Sequence, residues 1–360
     1  MRRRATWAAA VVRLAVTGGL AALFLAVANT SAATDTAATV AGTSSPLTPS
    51  PGCPVTDPVS DPGPYFVTDS VPLPAKMSPT FVDNHVDVML PAGYCTSRLR
   101  YPVVYLLHGA GDTYQSWEKN TDLDAFLTAH QAQYPYIFVM PDGGHNGDAG
   151  WYSDWADGSR HYETYHVVVL RHYIDASYRT LPGDIGIAGL SMGGFGALSY
   201  AARHPGMFKV AASFSGAVDM LYGAPASGVA FGTLHNQYGT PDAHVWGDQT
   251  ADAATWAAHN PASLAPELAG TRILLASGTG TPGGAQGDAL YPVGGPFDPG
   301  GYAIENTIFQ MNVSLVRALD RAGVPFTADF YLGGYHGWPY WQADLHWALP
   351  LMAQTLGRPA

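Results

Sequence analysis

Apolar residues in this chain fall into two kinds of run. Tyr101-Pro102-Val103-Val104-Tyr105-Leu106-Leu107 is continuous, as a strand covered on both faces requires. Tyr136–Met140, Asp184–Ala188, Val210–Ser215 and Arg272–Ser277 read the same way, and Phe326–Tyr331 is the last strand. Tyr65–Val67 and Phe81–Leu90 also read as strands, the second partly alternating apolar and polar. Between these runs the apolar spacing turns helical: Thr121 to about Gln133, residues 159–178 (Tyr165, Val168, Val169, Tyr173 and Ile174), the stretch after Ser191, Ala303–Ala322 and Gln342–Leu356. Strands alternating with helices predict an α/β domain, a doubly wound, mostly parallel sheet with helices on both faces. Chemistry in such a sheet lies beyond the carboxyl ends of the strands. The loops His108–Gly111, Pro141–Trp155, Ser191 and Tyr335–Trp341 all fall there.

The start of the chain reads differently. Met1-Arg2-Arg3-Arg4 is basic, Trp7–Val27 is apolar, and Thr30-Ser31-Ala32-Ala33 offers small residues for cleavage. Residues 1–33 are therefore expected to be a secretory signal peptide. Arg13, Gly18 and Gly19 interrupt the apolar stretch and argue against a retained membrane anchor. Residues 34–62, rich in Thr, Ser, Pro, Ala and Asp, are expected to be a solvated linker, and 63–360 one catalytic domain. A formal charge of −11 with 12% charged residues lacks the basic footprint of a nucleic-acid binder. In an exported, extracellular chain the two cysteines, Cys53 and Cys95, are expected to form one disulfide.

The most informative motif is Gly189-Leu190-Ser191-Met192-Gly193, directly after the Asp184–Ala188 run and before a small-residue helix start. A serine there sits on a sharp strand-to-helix turn that exposes its hydroxyl to a base and to backbone amides. The base must follow in the chain. Only His336 and His346 lie beyond the last predicted strand, and His346 falls inside the final helix pattern, so His336 is the candidate. The acid belongs after the strand ending at Ser277. On the residues alone Asp288 and Glu305 stand level, with Asp298 behind them.

From about Phe81 to Leu351 the chain resembles the esterase D and antigen 85 branch of the α/β-hydrolases, which includes secreted mycolyltransferases and plain acyl esterases. The marks are Tyr105–Gly109, Val139–Gly144, Trp151–Trp155, Gly189–Gly193 and His336–Trp341, in that order. The resemblance implies an α/β-hydrolase fold. It selects Glu305, in Ile304-Glu305-Asn306, as the acid, leaving Asp288 in reserve. It also implies oxyanion amides at Met192 and Ala110. His108 and Gly111 stand where the mycolyltransferases carry an aspartate and an arginine that help hold a sugar acceptor. Those departures favour hydrolysis over transfer. The implied activity is a secreted serine carboxylesterase acting on a small-molecule, glycan or lipid ester. The alternatives are acyl transfer to a sugar or glycerol hydroxyl, and a binding protein on a vestigial hydrolase fold. The chemistry calls for no cofactor and no metal.

His108, Trp338 and Trp151 are the candidate substrate contacts, although Trp151–Trp155 also reads as a loop held by aromatic burial. His161, His166 and His172 share one stretch without the i,i+4 spacing of a metal pair. Asn312-Val313-Ser314 matches a glycosylation signal inside a predicted helix and is read as chance. The excursion from about Leu221 to Pro261 carries no chemical motif and is expected to cap the site.

Overall fold

A computed structural model describes residues 4–5, 53–54, 63–74, 77, 83–144, 149–223, 242–281 and 299–360. Its centre is a nine-stranded sheet: β1 (Arg4–Ala5), β2 (Tyr65–Ser70), β3 (His85–Leu90), β4 (Tyr101–Leu107), β5 (Ile137–Pro141), β6 (Thr180–Leu190), β7 (Val210–Phe214), β8 (Arg272–Gly278) and β9 (Phe326–Tyr331). The order across the sheet is β1-β9-β8-β7-β6-β4-β5-β3-β2. From β5 to β9 every neighbouring pair is parallel. β2 and β3 run antiparallel at one edge, and the two-residue β1 pairs antiparallel with β9 at the other.

The continuous apolar runs have a direct cause. Successive side chains of a strand point to opposite faces. Along β4, Val103, Tyr105 and Leu107 enter one core while Val104 and Leu106 enter the other. β5 splits the same way, Ile137 and Val139 against Phe138 and Met140. The first core is covered by α3 (Tyr162–Thr164), a π-helical turn (Tyr165–Leu170), α4 (Arg171–Ser177), α5 (Met192–Arg203) and α8 (Pro299–Ala322). The second is covered by α1 (Ser116–Asn120), α2 (Leu123–Ala129) and α9 (Trp338–Met352). Two short helices, α6 (Asp242–Val245) and α7 (Ala253–His259), lie between β7 and β8 in the chain.

Two helical expectations are corrected. The helix read from Thr121 to about Gln133 is α2, shorter than expected at Leu123–Ala129; Thr121 is extended (φ −130°, ψ 173°) and separates it from α1, which the pattern did not show. Val168, expected on an apolar helix face, is 59% exposed. The π-helical turn around it carries more residues per turn than an α-helix, so the 3.6-residue phase slips there. Tyr165 is buried as expected, and His166 and Leu170, which the pattern did not name, are buried with it. The strand read from Phe81 begins at His85, and Phe81 and Val82 lie outside the described residues.

Cys53 and Cys95 are joined, with Cα atoms 5.4 Å apart. Apart from Arg4, Ala5, Cys53 and Pro54, the expected leader and linker lie outside the described residues. Among the described residues no helix is long and apolar enough to cross a membrane. Asn312 is fully buried, its amide donating to Gly216 O (3.0 Å) and Ile308 O (2.9 Å), a setting that no glycan could reach.

Candidate active site

β6 ends at Leu190, and Ser191 turns the chain into α5 with φ 51° and ψ −117°. A non-glycine residue at positive φ is strained unless its surroundings hold it. Here the hold comes from close backbone packing. A Cβ at Gly189 would lie 2.2 Å from Gly193 O, and one at Gly193 would lie 2.3 Å from Leu107 O and 2.6 Å from His108 O. The two glycines thus let the turn press onto itself and onto the end of β4. Gly193→Ala is expected to lower stability by about 1–3 kcal/mol and to cut ester turnover, since only backbone movement at Ser191 relieves the clash. Thermal denaturation and turnover measured on one preparation check both effects.

His336 lies five residues beyond the end of β9 and opens the approach to α9, its backbone N–H donating to Gly301 O (3.1 Å). Its Nε2 is 2.8 Å from Ser191 Oγ and its Nδ1 is 2.8 Å from Glu305 Oε2. Glu305 lies in α8 and is 1% exposed. Its other oxygen, Oε1, accepts from Ser215 Oγ (2.7 Å), Ser277 Oγ (3.0 Å) and Gly278 N–H (2.8 Å). Ser215, Ser277 and Gly278 thus hold one oxygen of this buried carboxylate while the other faces His336. An alcohol, an imidazole and a carboxylate from three separate parts of the chain form one hydrogen-bonded line.

The remaining candidates separate clearly. His346 sits elsewhere, 2.8 Å from Asp122 Oδ1 and stacked on Phe126. Asp288 and Asp298 lie outside the described residues. Met192 is the first residue of α5, where a backbone N–H has no acceptor within its own helix. Ala110 follows Gly109, whose Cβ position would be 3.4 Å from Ser191 Cβ, so both expected oxyanion residues flank the serine.

His108 and Trp151, expected as substrate contacts, are corrected to buried supports. His108 is 1% exposed and both ring nitrogens are bonded to backbone, Nδ1 to Gly109 O (2.7 Å) and Nε2 to Gly143 N–H (2.7 Å). Trp151 is 4% exposed and edge-on to Phe195 and Trp246. Its neighbour Tyr152 donates to His108 O (2.9 Å) and fills the space above Gly143 and Gly196, where a Cβ would clash with its ring. Trp338 is partly exposed at the start of α9, in an edge-to-face chain from Trp117 through Trp338 to Trp341, and Trp341 lies edge-on to His336 (5.0 Å).

His166, one of three histidines in its stretch, is buried between Tyr200 OH (2.9 Å) and Asp142 O (2.8 Å). Burial pushes it down to about 4, so it is neutral at ordinary pH. Among the described residues no group of His, Cys, Asp or Glu is arranged to hold a metal. Of the expected cap, residues 224–241 lie outside the described set. Trp246 from its far end packs on Trp151, Phe195 and Trp256, close to α5.

The sequence reading missed Ser215 and Ser277, which hold Glu305, and Asp112. Both serines sit at the carboxyl ends of strands, β7 and β8, and that position was the available signal. Asp112 faces the Gly109 amide, Ser116 and Trp338, with burial pushing its carboxyl up.

A family model described as putative esterase matches residues 82–352. The chain belongs to this esterase family. Esterase Rv1288 of Mycobacterium tuberculosis is 40% identical over 204 residues, a match covering 54% of this chain and 42% of that protein. The chain thus spans well under half the length of that relative. The diacylglycerol acyltransferase/mycolyltransferase Ag85A of Mycobacterium ulcerans is 31% identical over 271 residues, covering 71% of this chain and 74% of that one. The family is thus antigen 85-like. The crystal structure of Mycobacterium tuberculosis MPT51 aligns with a TM-score of 0.63 at 22% identity, over 81% of this chain and 99% of that chain. An S-formylglutathione hydrolase from Agrobacterium tumefaciens aligns at 0.56 with 19% identity. At such identity these neighbours speak to the fold alone, which is that of an α/β-hydrolase.

Proposed function

We propose that this chain is an exported serine carboxylesterase that cleaves acyl esters through an acyl-serine intermediate. The observation that carries the reading is the line Ser191 Oγ, His336, Glu305, with 2.8 Å at each join. In the first half-reaction His336 Nε2 takes the Ser191 proton as Oγ attacks the ester carbonyl. The carbonyl oxygen becomes an oxyanion facing the N–H groups of Met192 and Ala110, where one such donor is worth about 3 kcal/mol. The C–O bond then breaks, and the imidazolium returns its proton to the leaving alcohol. In the second half-reaction water takes the alcohol's place, His336 accepts its proton, and the acid leaves as Ser191 is reprotonated. Glu305 holds Nδ1–H and supports the transient positive charge on the ring.

Water as the acceptor is favoured by two features. His108 is buried and bonded on both sides, so it offers no polar atom to a sugar. Gly111 has no side chain to offer. The family relationship to diacylglycerol acyltransferase/mycolyltransferase proteins makes transfer the specific second reading. The two are separated by product analysis on the mature protein with a p-nitrophenyl ester and added glycerol or trehalose. Hydrolysis predicts free acid as the main product at any acceptor concentration that water outnumbers. A dominant transesterified product would replace hydrolase by transferase. The Cys53–Cys95 disulfide and the basic-then-apolar leader support export.

A further inference from the structure

We propose that His108 is a positioning residue that sets the Ala110 oxyanion amide by gripping the carbonyl of the same peptide unit. In a trans peptide the C=O of one residue and the N–H of the next lie in one plane and point opposite ways. Fixing Gly109 C=O therefore fixes the direction of Ala110 N–H. Two groups bond that carbonyl: His108 Nδ1 at 2.7 Å and Asp112 N–H at 3.2 Å.

The proton on His108 is placed by its other contact. Gly143 N–H is a backbone donor, and it points at Nε2 from 2.7 Å, so Nε2 must be the acceptor. A neutral ring with an accepting Nε2 carries its hydrogen on Nδ1, which then donates to Gly109 O. The β5-exit loop thus chooses the tautomer, and the tautomer orients the oxyanion peptide. The groups packed around the ring keep it there. Tyr152 OH binds His108 O (2.9 Å), and Asp142, whose Oδ2 is 3.9 Å from Nε2, uses its other oxygen to accept Gly144 N–H (2.8 Å). Since the ring is 1% exposed, it acts on the reaction only through Ala110.

Because Ala110 is taken as an oxyanion donor, the assignment rests on the serine-esterase reading. Two substitutions split the ring's two bonds. In His108→Asn the side-chain amide N–H occupies the place of Nδ1–H and keeps the bond to Gly109 O, while the acceptor for Gly143 is lost. In His108→Gln the amide oxygen reaches the place of Nε2 and keeps the bond from Gly143, while the donor to Gly109 O is lost. Turnover of a short p-nitrophenyl ester is measured for both, with active sites counted by fluorophosphonate end-point titration. A boronic acid that mimics the tetrahedral adduct supplies a second readout.

His108→Gln is expected to lose about 100-fold in kcat per titrated site, the scale of losing one oxyanion donor, with KM little changed. Boronate affinity is expected to fall in step. His108→Asn is expected to stay within about tenfold of the unsubstituted chain. A merely structural ring would lower the titrated fraction and the melting temperature but leave kcat per site alone. The reverse order of the two variants, equal kcat per site, or a His108→Asn chain that does not fold would each overturn the assignment. An unsubstituted chain that folds but neither turns over the ester nor takes the fluorophosphonate would overturn the esterase reading itself.

Discussion

Glu305→Gln is expected to lower kcat by about 10⁴-fold while leaving the fold intact, because the substitution reverses the tautomer of His336. The carboxylate has two unequal oxygens. Oε1 accepts from Ser215 Oγ, Ser277 Oγ and Gly278 N–H, whereas Oε2 faces His336 Nδ1. An amide at this position places its oxygen where the three donors point. Its NH2 then faces His336 Nδ1. That nitrogen must become an acceptor, so the ring's hydrogen moves to Nε2 and points at Ser191. A ring in that state cannot take the serine proton. The buried donors stay satisfied, so the melting temperature should change little. Steady-state kinetics with a p-nitrophenyl ester, paired with thermal denaturation, check both halves. Glu305→Ala is the instructive contrast: it strands the same three donors and should cost stability as well as rate.

Ser191→Ala is expected to produce the largest loss, on the order of 10⁵- to 10⁶-fold in kcat, since no covalent intermediate forms. Removing one hydroxyl changes packing only slightly, and the elbow is held by Gly189 and Gly193 rather than by Oγ. The variant should therefore fold and should still bind ester. A residual rate above that in water is expected, because the amides at Met192 and Ala110 remain. Unchanged turnover in Ser191→Ala would place the chemistry on another residue.

Particular residues show what was legible in the chain and what was not. β4 was legible because a strand buried on both faces must be apolar at every position, and Tyr101–Leu107 is. The elbow was legible because its glycines answer to local sterics, which a pentapeptide carries in full. The place of His336 followed from chain order, since few histidines lie beyond β9. The holders of Glu305 were not legible in the same way. Ser215 is 90 positions away and Ser277 is 28, and a serine at a strand end carries no mark of what it will meet across the sheet's rim. Glu305 itself came from resemblance; its helix position alone left it level with Asp288.

His108 illustrates a different limit. A histidine beside a glycine at a strand exit has the chemistry to touch substrate, and residue type cannot say whether its ring turns outward. The outcome was decided by Gly143, 35 positions along, whose amide needed an acceptor inside the protein. Val168 failed for a reason of period. The helical pattern was real on either side of it, but a π-helical turn shifts the face by part of a turn, and no composition signal announces that shift.

Mass mapping of the fluorophosphonate adduct tests the central claim most directly, since only a serine with an adjacent working base reacts readily with that probe. One adduct per chain is expected, on the peptide carrying Ser191, absent in Ser191→Ala and strongly slowed in His336→Ala. A folded chain that gives no adduct, or one whose adduct maps to another serine such as Ser215, contradicts it.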